Sequence, residues 1–159
     1  MKEEEVCNMA YGRYEKRVTE INKWFDTYVH QTFRTPKQFG HLEKYHINKS
    51  NQFLKERCKR LKRNVSTFCG NEEEICQMLV DALIQSRTEI IEYLADEEDD
   101  DVWELIGKIP DHISGKIYCS SMQHDWTTGA MESDIFIISL RKNPHNRNLF
   151  VVTSAYPII

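Results

Sequence analysis

The run DIFIISLRKNPHNRNLFVVTSAY, from Asp134 to Tyr156, decides the fold class of this chain. β-Branched and aromatic residues dominate both of its ends, 134–141 and 148–156, and turn-forming residues occupy 142–147 between them. Apolar runs of this kind, separated by Asn and Pro, predict strands. A further β-branched run over 116–119 predicts another strand.

The residues that precede these strands predict helices. Apolar side chains between positions 11 and 33 recur at three- and four-residue steps, as on one face of an amphipathic helix. Ser50 is placed to cap a strongly basic helix that runs to about Arg63. A third helical pattern extends from Asn71 to the acidic run 96–101. Because helices come first and strands follow, the sequence favours an α+β fold with an antiparallel sheet.

Composition restricts the classes of protein to which the chain can belong. Its 159 residues are 40% apolar and 29% charged, as in a globular protein with a packed core. No segment reaches the roughly 18 apolar residues of a membrane span, and the start of the sequence lacks the apolar core of a secretory signal. Export would therefore need another route or a larger precursor. A net charge of −4 predicts that any contact with nucleic acid relies on a local basic patch.

The cysteines and glycines argue against a disulfide framework, a metal site and a nucleotide cofactor. The five cysteines are scattered and odd in number, which predicts reduced thiols in a cytosolic chain. Their spacings match no common zinc site, and the acidic run lacks the spaced ligands of a calcium loop. With six glycines and no glycine-rich phosphate loop, a nucleotide cofactor is not expected.

Two histidines lie in the predicted connection between the first two helices. His46 lies after one predicted helix and before the next, a position from which its side chain is able to project into a cleft. An imidazole titrates near neutral pH and therefore suits proton transfer, although a surface position is the alternative interpretation. His41 shares this connection, and for it packing or a loop-stabilising hydrogen bond is the simpler interpretation.

Three further residues are candidates for contact with a phosphate. A guanidinium such as that of Arg57 grips phosphate through two parallel hydrogen bonds, although most of the basic residues on its helix are expected to face solvent. Ser154 and Tyr156 alternate in a strand-like run, so both side chains should emerge on one face. The alternative for Tyr156 is a buried ring with a satisfied hydroxyl.

Five motifs together resemble a known family. The segments are GHLEKYHINKS (40–50), FLKER (53–57), VSTF (65–68), IIEYL (90–94) and VVTSAYP (151–157). In this order they resemble the bacterial RNase A-like toxin domain at the tips of contact-dependent growth inhibition proteins, the CdiA C-terminal toxins. The resemblance implies a toxin domain over 39–159. It leaves 1–38 as an N-terminal helical extension, packed on the domain or appended to it.

The resemblance also implies a fold, an activity and a set of catalytic residues. The family's fold is like that of pancreatic ribonuclease without its disulfides, and its members arrest neighbouring bacteria by degrading RNA. Its catalytic histidine and arginine match His46 and Arg57, and its terminal Thr-x-Tyr matches Ser154 and Tyr156. Serine thus stands at the family's threonine position. Thr153 would take that role if the strand register differed by one residue.

We therefore expect a metal-independent endoribonuclease in which the RNA 2′-hydroxyl attacks the adjacent phosphate and leaves a 2′,3′-cyclic phosphate. His46 would move the proton, while Arg57, Ser154 and Tyr156 would stabilise the phosphorane, and Tyr156 is also a candidate to protonate the leaving oxygen. Further RNA contacts are expected from His41, Lys55, Lys59, Lys62 and Thr153.

The expected partners are RNA and a cognate immunity protein, and the expected place of action is the bacterial cytoplasm, after delivery as part of a larger secreted protein. Two alternatives remain open at this point. One is a catalytically inactive relative that binds RNA or a protein. The other is an immunity-type or effector protein that works through the acidic run 96–101 and the N-terminal helix.

Overall fold

The computed structural model describes residues 3–119 and 130–159, with side chains described from residue 9 onward. The helices are α1 (Glu3–Thr32), α2 (Asn51–Leu61), α3 (Glu72–Gln85) and α4 (Arg87–Ala95). The strands are β1 (Val65–Cys69), β2 (Trp103–Lys108), β3 (Ser114–Tyr118), β4 (Met131–Ser133), β5 (Ile135–Asn143) and β6 (Asn146–Ile158). A 3₁₀ turn over Pro36–Gln38 and a π-helical turn over Leu42–His46 lie between α1 and α2.

The predicted α+β fold with antiparallel pairing is confirmed. The strands form two three-stranded sheets, in the orders β1-β3-β4 and β2-β5-β6, and every pairing within them is antiparallel. The four described cysteines, at positions 58, 69, 76 and 119, are free thiols, and Cys7 lies outside the described side chains.

The element order departs from the sequence prediction in three places. β1 lies between α2 and α3, so the strands do not all follow the helices. The third helical pattern is two helices, because the chain leaves helical geometry at Ser86, which ends α3 and begins α4. The basic helix ends at Leu61, because Lys62 adopts the left-handed conformation (φ 53°) and its N–H bonds back to Cys58.

The N-terminal helix belongs to the main core. Ile21, Phe25 and Val29 of α1 are fully buried together with residues of α3, α4, β5 and β6. The Tyr28 hydroxyl donates to the carbonyl oxygen of Phe150 at 2.6 Å, which ties α1 to β6. Helix α1 therefore packs on the sheet, while the position of a domain boundary at residue 38 stays a prediction.

The acidic run 96–101 folds against basic and aromatic side chains. The ammonium group of Lys142 donates to the carbonyl oxygen of Asp96, and Arg147 forms an ion pair with Asp100. The Tyr93 hydroxyl donates to the carbonyl oxygen of Asp101 at 2.6 Å. The run is thus a structured connection between α4 and β2. Within the two described ranges, no helix is both long enough and apolar enough to cross a membrane.

Candidate active site

A cavity of about 630 Å³ opens between the π-helical turn, α2, β1 and β6. Among the described residues, its walls contain three arginines, two histidines and two tyrosines, and no carboxylate. The lining residues are His41, Tyr45, His46, Arg57, Arg60, Leu61, Arg63, Asn64, Val65, Ser66, Ser154 and Tyr156. The structure thus brings all four residues predicted to be catalytic, His46, Arg57, Ser154 and Tyr156, to one cavity.

The backbone that carries His46 is fastened to the edge of β1. Ile47 pairs in parallel with Phe68, and the N–H of Asn48 donates to the carbonyl oxygen of Phe68 at 2.7 Å. The Asn48 side chain exchanges two hydrogen bonds of 2.9 Å with the backbone of Gly70. These contacts hold the residues after the π-helical turn as a short extra strand and fix the direction of the imidazole.

The imidazole of His46 has one nitrogen engaged by the protein. Its Nδ1 lies 2.8 Å from the carbonyl oxygen of Ser66. A carbonyl only accepts hydrogen bonds, so Nδ1 carries the hydrogen, and in the neutral ring Nε2 keeps its lone pair. The imidazole ring also stacks on the ring of Tyr156, with centroids 5.1 Å apart. The geometry suits a general base that acts through Nε2.

The environment favours the neutral form of His46. Burial lowers its pKa to about 4, against the opposing effect of the hydrogen bond to Ser66. The nearby charges of Arg57, His41 and Arg63 lower the pKa further. At neutral pH the imidazole is therefore unprotonated and able to accept a proton.

Arg57 is a buried cation without an acidic partner among the described residues. It is 9% exposed, its guanidinium carbon lies 3.7 Å from the centroid of the Tyr45 ring, and its buried Nε has no hydrogen-bond partner in the described ranges. The ring holds the guanidinium by a cation–π contact. A buried charge is costly unless it is paired, so this position favours a bound anion.

A bulge in β6 settles which hydroxyl reaches the cavity. Ser139 pairs with Ser154 while Leu140 pairs with Val152, so Thr153 is an extra residue in β6. The Thr153 hydroxyl donates to the carbonyl oxygen of Ser139 at 3.1 Å, and its side chain is not among those that line the cavity. Ser154, at the position of the family's threonine, lines it instead.

The same bulge anchors His41. The carbonyl oxygen of Thr153 accepts a hydrogen bond of 3.2 Å from the N–H of His41, whose own carbonyl accepts from the N–H of Tyr45 at 3.0 Å. The preceding residue, Gly40, has a φ of +60° and lies against the bulge so closely that a side chain would not fit. His41 is exposed and lines the cavity.

The three lysines predicted to contact RNA do not line this cavity, although Lys62 lines an adjoining cavity that shares Ser66 and Tyr156 with it. Lys59 and Lys62 are exposed, Lys55 is half-buried, and none of the three lines the cavity. Arg60 and Arg63 line it instead. Arg60 lies three residues after Arg57 and therefore on the same face of α2. Helical spacing in the sequence was sufficient to predict this placement.

Two other residues of the site were harder to identify from the sequence. Tyr45 is adjacent to His46 within the first motif, but its stacking on Arg57 depends on how α2 packs against the π-helical turn. Ser66 acts through its backbone carbonyl, which has no signature in the residue type.

In the described part of the chain, no group of three or more His, Cys, Asp or Glu side chains is arranged to hold a metal ion. The expected absence of a metal and a cofactor stays a prediction.

Comparison with known proteins identifies a similar fold. No protein-family model matches the chain, and no curated protein matches its sequence. The structure is similar to a chain in the crystal structure of the CdiA-CT/CdiI complex from Y. kristensenii 33638, with a TM-score of 0.57 and 15% sequence identity. The match covers 75% of this chain and 98% of that chain. At this level of identity the likeness establishes a shared fold.

Proposed function

We propose that this chain is a toxin of contact-dependent growth inhibition that cleaves RNA without a metal ion. One observation carries the proposal: a neutral imidazole at His46 and a buried guanidinium at Arg57 line one cavity, and the described residues of its walls include no carboxylate. A base beside a fixed positive charge suits RNA cleavage, in which the ribose 2′-hydroxyl must lose a proton while negative charge grows on the adjacent phosphate.

In the proposed reaction, Nε2 of His46 accepts the proton of the 2′-hydroxyl. The freed 2′-oxygen attacks phosphorus, the bond from phosphorus to the 5′-oxygen breaks, and the 5′-oxygen takes up a proton. The products are a 2′,3′-cyclic phosphate and a 5′-hydroxyl. Proton transfer of this kind contributes on the order of 10² to 10⁴ in rate.

The remaining residues of the cavity stabilise charge. Arg57 donates paired hydrogen bonds to the phosphate, and the hydroxyls of Ser154 and Tyr156 donate to the phosphorane oxygens. Arg60 and Arg63 extend the positive surface for neighbouring backbone phosphates. On this proposal, Lys55, Lys59 and Lys62 supply weaker contacts farther along the RNA.

The test is cleavage of total RNA in EDTA by the wild-type chain, His46→Ala and His112→Ala. His112 is an exposed histidine in a different cavity and serves as the matched control. We expect cyclic-phosphate ends with the wild type and His112→Ala, and none with His46→Ala. Equal cleavage by all three, or cleavage that EDTA abolishes and magnesium restores, would contradict the proposed mechanism.

A catalytically inactive relative that binds RNA or a protein is the second candidate, and the serine at position 154 and the net charge of −4 are the features that favour loss of activity. The same samples separate the two functions when binding is measured by gel shift beside cleavage. A gel shift without cyclic-phosphate ends would assign the chain to the binding function.

The proposed toxin also implies a partner and a route. The similar solved structure is a complex of CdiA-CT with CdiI. We infer that this chain is delivered as part of a larger secreted protein, acts in the cytoplasm of the target cell and is neutralised by an immunity protein. An acidic inhibitor would be captured fastest at the arginine-lined cavity, where it would also block RNA. Expression of the wild-type chain without such a companion should slow growth, and expression of His46→Ala should not.

A further inference from the structure

His46 is able to perform only one of the two proton transfers that the proposed cleavage needs. Its Nδ1 is committed to the carbonyl oxygen of Ser66, so a single nitrogen remains for substrate. The attacking 2′-oxygen and the leaving 5′-oxygen lie roughly in line on opposite sides of phosphorus. One nitrogen does not reach both in a single step, and the 5′-oxygen needs another proton donor.

Several groups that line the cavity carry a proton, but they are not equally suited to this task. The guanidinium groups hold their protons too tightly to release them near neutral pH. The Tyr156 ring stacks on His46 and therefore lies beside the group that removes the first proton. A phenol is also a poorer match than an imidazolium for proton donation near neutral pH.

His41 has the position that this task requires. Its ring centroid lies 5.7 Å from that of Tyr45, and the centroid of His46 lies 6.2 Å from the same ring. The guanidinium of Arg57 rests on that ring as well. The two imidazoles and the guanidinium are thus arranged around one ring, and all of them line the same cavity. The backbone of His41 is held by Thr153 through its N–H and by Tyr45 through its carbonyl, so the exposed ring projects from a fixed point.

We propose that His41 is the general acid of the reaction: its imidazolium donates a proton to the 5′-oxygen as the bond from phosphorus to that oxygen breaks. This proposal rests on the proposed ribonuclease function. The protons balance, because His46 gains the one that leaves the 2′-hydroxyl and His41 loses the one that the 5′-oxygen gains. Solvent then restores both rings to their starting states.

The experiment compares leaving groups that differ in their need for a proton. The substrates are the four ribodinucleotides NpA, whose 5′-alkoxide must be protonated, and the four nucleoside 3′-(4-nitrophenyl phosphates), whose aryl oxide leaves without a proton. The variants are His41→Ala, His41→Gln, His46→Ala and Tyr156→Phe, with His112→Ala as the control and circular dichroism to check folding.

We expect both His41 variants to slow dinucleotide cleavage by about 10² to 10⁴ while slowing the aryl esters less than about tenfold. His46→Ala should slow both substrates, because both begin with loss of the 2′ proton. Equal losses on the two substrates in the His41 variants, or no loss on either, would overturn the assignment. The assignment would also be overturned if Tyr156→Phe slowed the dinucleotides far more than the aryl esters and the His41 variants did not. A wild-type chain that cleaves neither these substrates nor total RNA would instead refute the ribonuclease function itself.

Discussion

A Cβ atom at Gly40 would lie 2.0 Å from the carbonyl oxygen of Thr153. This close contact joins two distant segments of the chain that both contribute to the cavity. Gly40 precedes the π-helical turn, and Thr153 is the bulged residue of β6. The carbonyl that limits Gly40 is also the one that accepts the N–H of His41. The relative placement of His41, His46 and Tyr156 thus depends on a contact that only glycine permits.

Gly40→Ala should destabilise the protein and reduce RNA cleavage. A left-handed φ costs about 1–2 kcal/mol for a residue with a Cβ atom, and the backbone clash adds to that cost. The matched control is Gly12→Ala in α1, where a Cβ atom meets nothing within 4 Å and where alanine should stabilise the helix by about 0.5–1 kcal/mol. Urea unfolding measures both. Equal free energies of unfolding for the two variants would rule out the proposed constraint.

Whether a strand was predictable from the sequence depended on the length and composition of its apolar run. β5 and β6 were predictable because β-branched and aromatic residues form long runs on either side of the turn-forming segment 142–147. β1 was not identified as a strand, because it is only five residues long and Ser66 and Thr67 interrupt its apolar run. β2 was missed because it is a short edge strand that carries charged residues and a glycine.

The site was only partly predictable, for a physical reason. His46 and Tyr156 are more than a hundred residues apart, and no local pattern states that they stack. The family resemblance supplied that pairing. The roles of Tyr45 and Ser66 arise from tertiary contacts, a cation–π stack and a backbone hydrogen bond, that sequence spacing does not encode.

Cleavage should stay active well below neutral pH. His46 must be unprotonated to act as a base, and burial lowers its pKa to about 4, with Arg57, His41 and Arg63 as the charged groups that lower it further. Because the folded pKa lies below the ordinary value, the unprotonated fraction of His46 should be nearly complete at pH 6. It should fall tenfold per unit only below about pH 4.

The measurement is kcat/KM as a function of pH on a ribodinucleotide, over a range in which circular dichroism shows the chain to be folded. Arg63→Gln removes one of the charges that lower the pKa of His46, and it should move the acidic limb to higher pH. An acidic limb centred near pH 6.5 in the wild type would show that His46 is not the titrating base.

Ser154 and Thr153 should behave differently despite carrying the same functional group. Ser154 lines the cavity, so Ser154→Ala should reduce kcat, and Ser154→Thr should retain it because the hydroxyl remains. Thr153 bonds to Ser139 on the neighbouring strand, so Thr153→Val should lower the free energy of unfolding by roughly 0.5–1.5 kcal/mol with little change in kcat. The reverse pattern would mean that Thr153 is the catalytic hydroxyl.

The salt dependence of RNA binding should distinguish the arginines of the cavity from the lysines of α2. Each phosphate contact on a single strand contributes about 0.7 to the slope of log Kd against log salt concentration. Arg60 and Arg63 line the cavity, so replacing both by Gln should reduce that slope by about 1.4. Lys55 and Lys59 lie outside it, and their replacement by Gln should change the slope less.

Binding is measured by fluorescence anisotropy with a labelled RNA oligonucleotide, and every variant is made on the His46→Ala background so that the RNA stays intact. Both double variants remove two positive charges, so the lysine pair controls for net charge. A larger change in slope for Lys55→Gln with Lys59→Gln would mean that the RNA follows the outer face of α2. The arginine-lined cavity would then not be its principal contact.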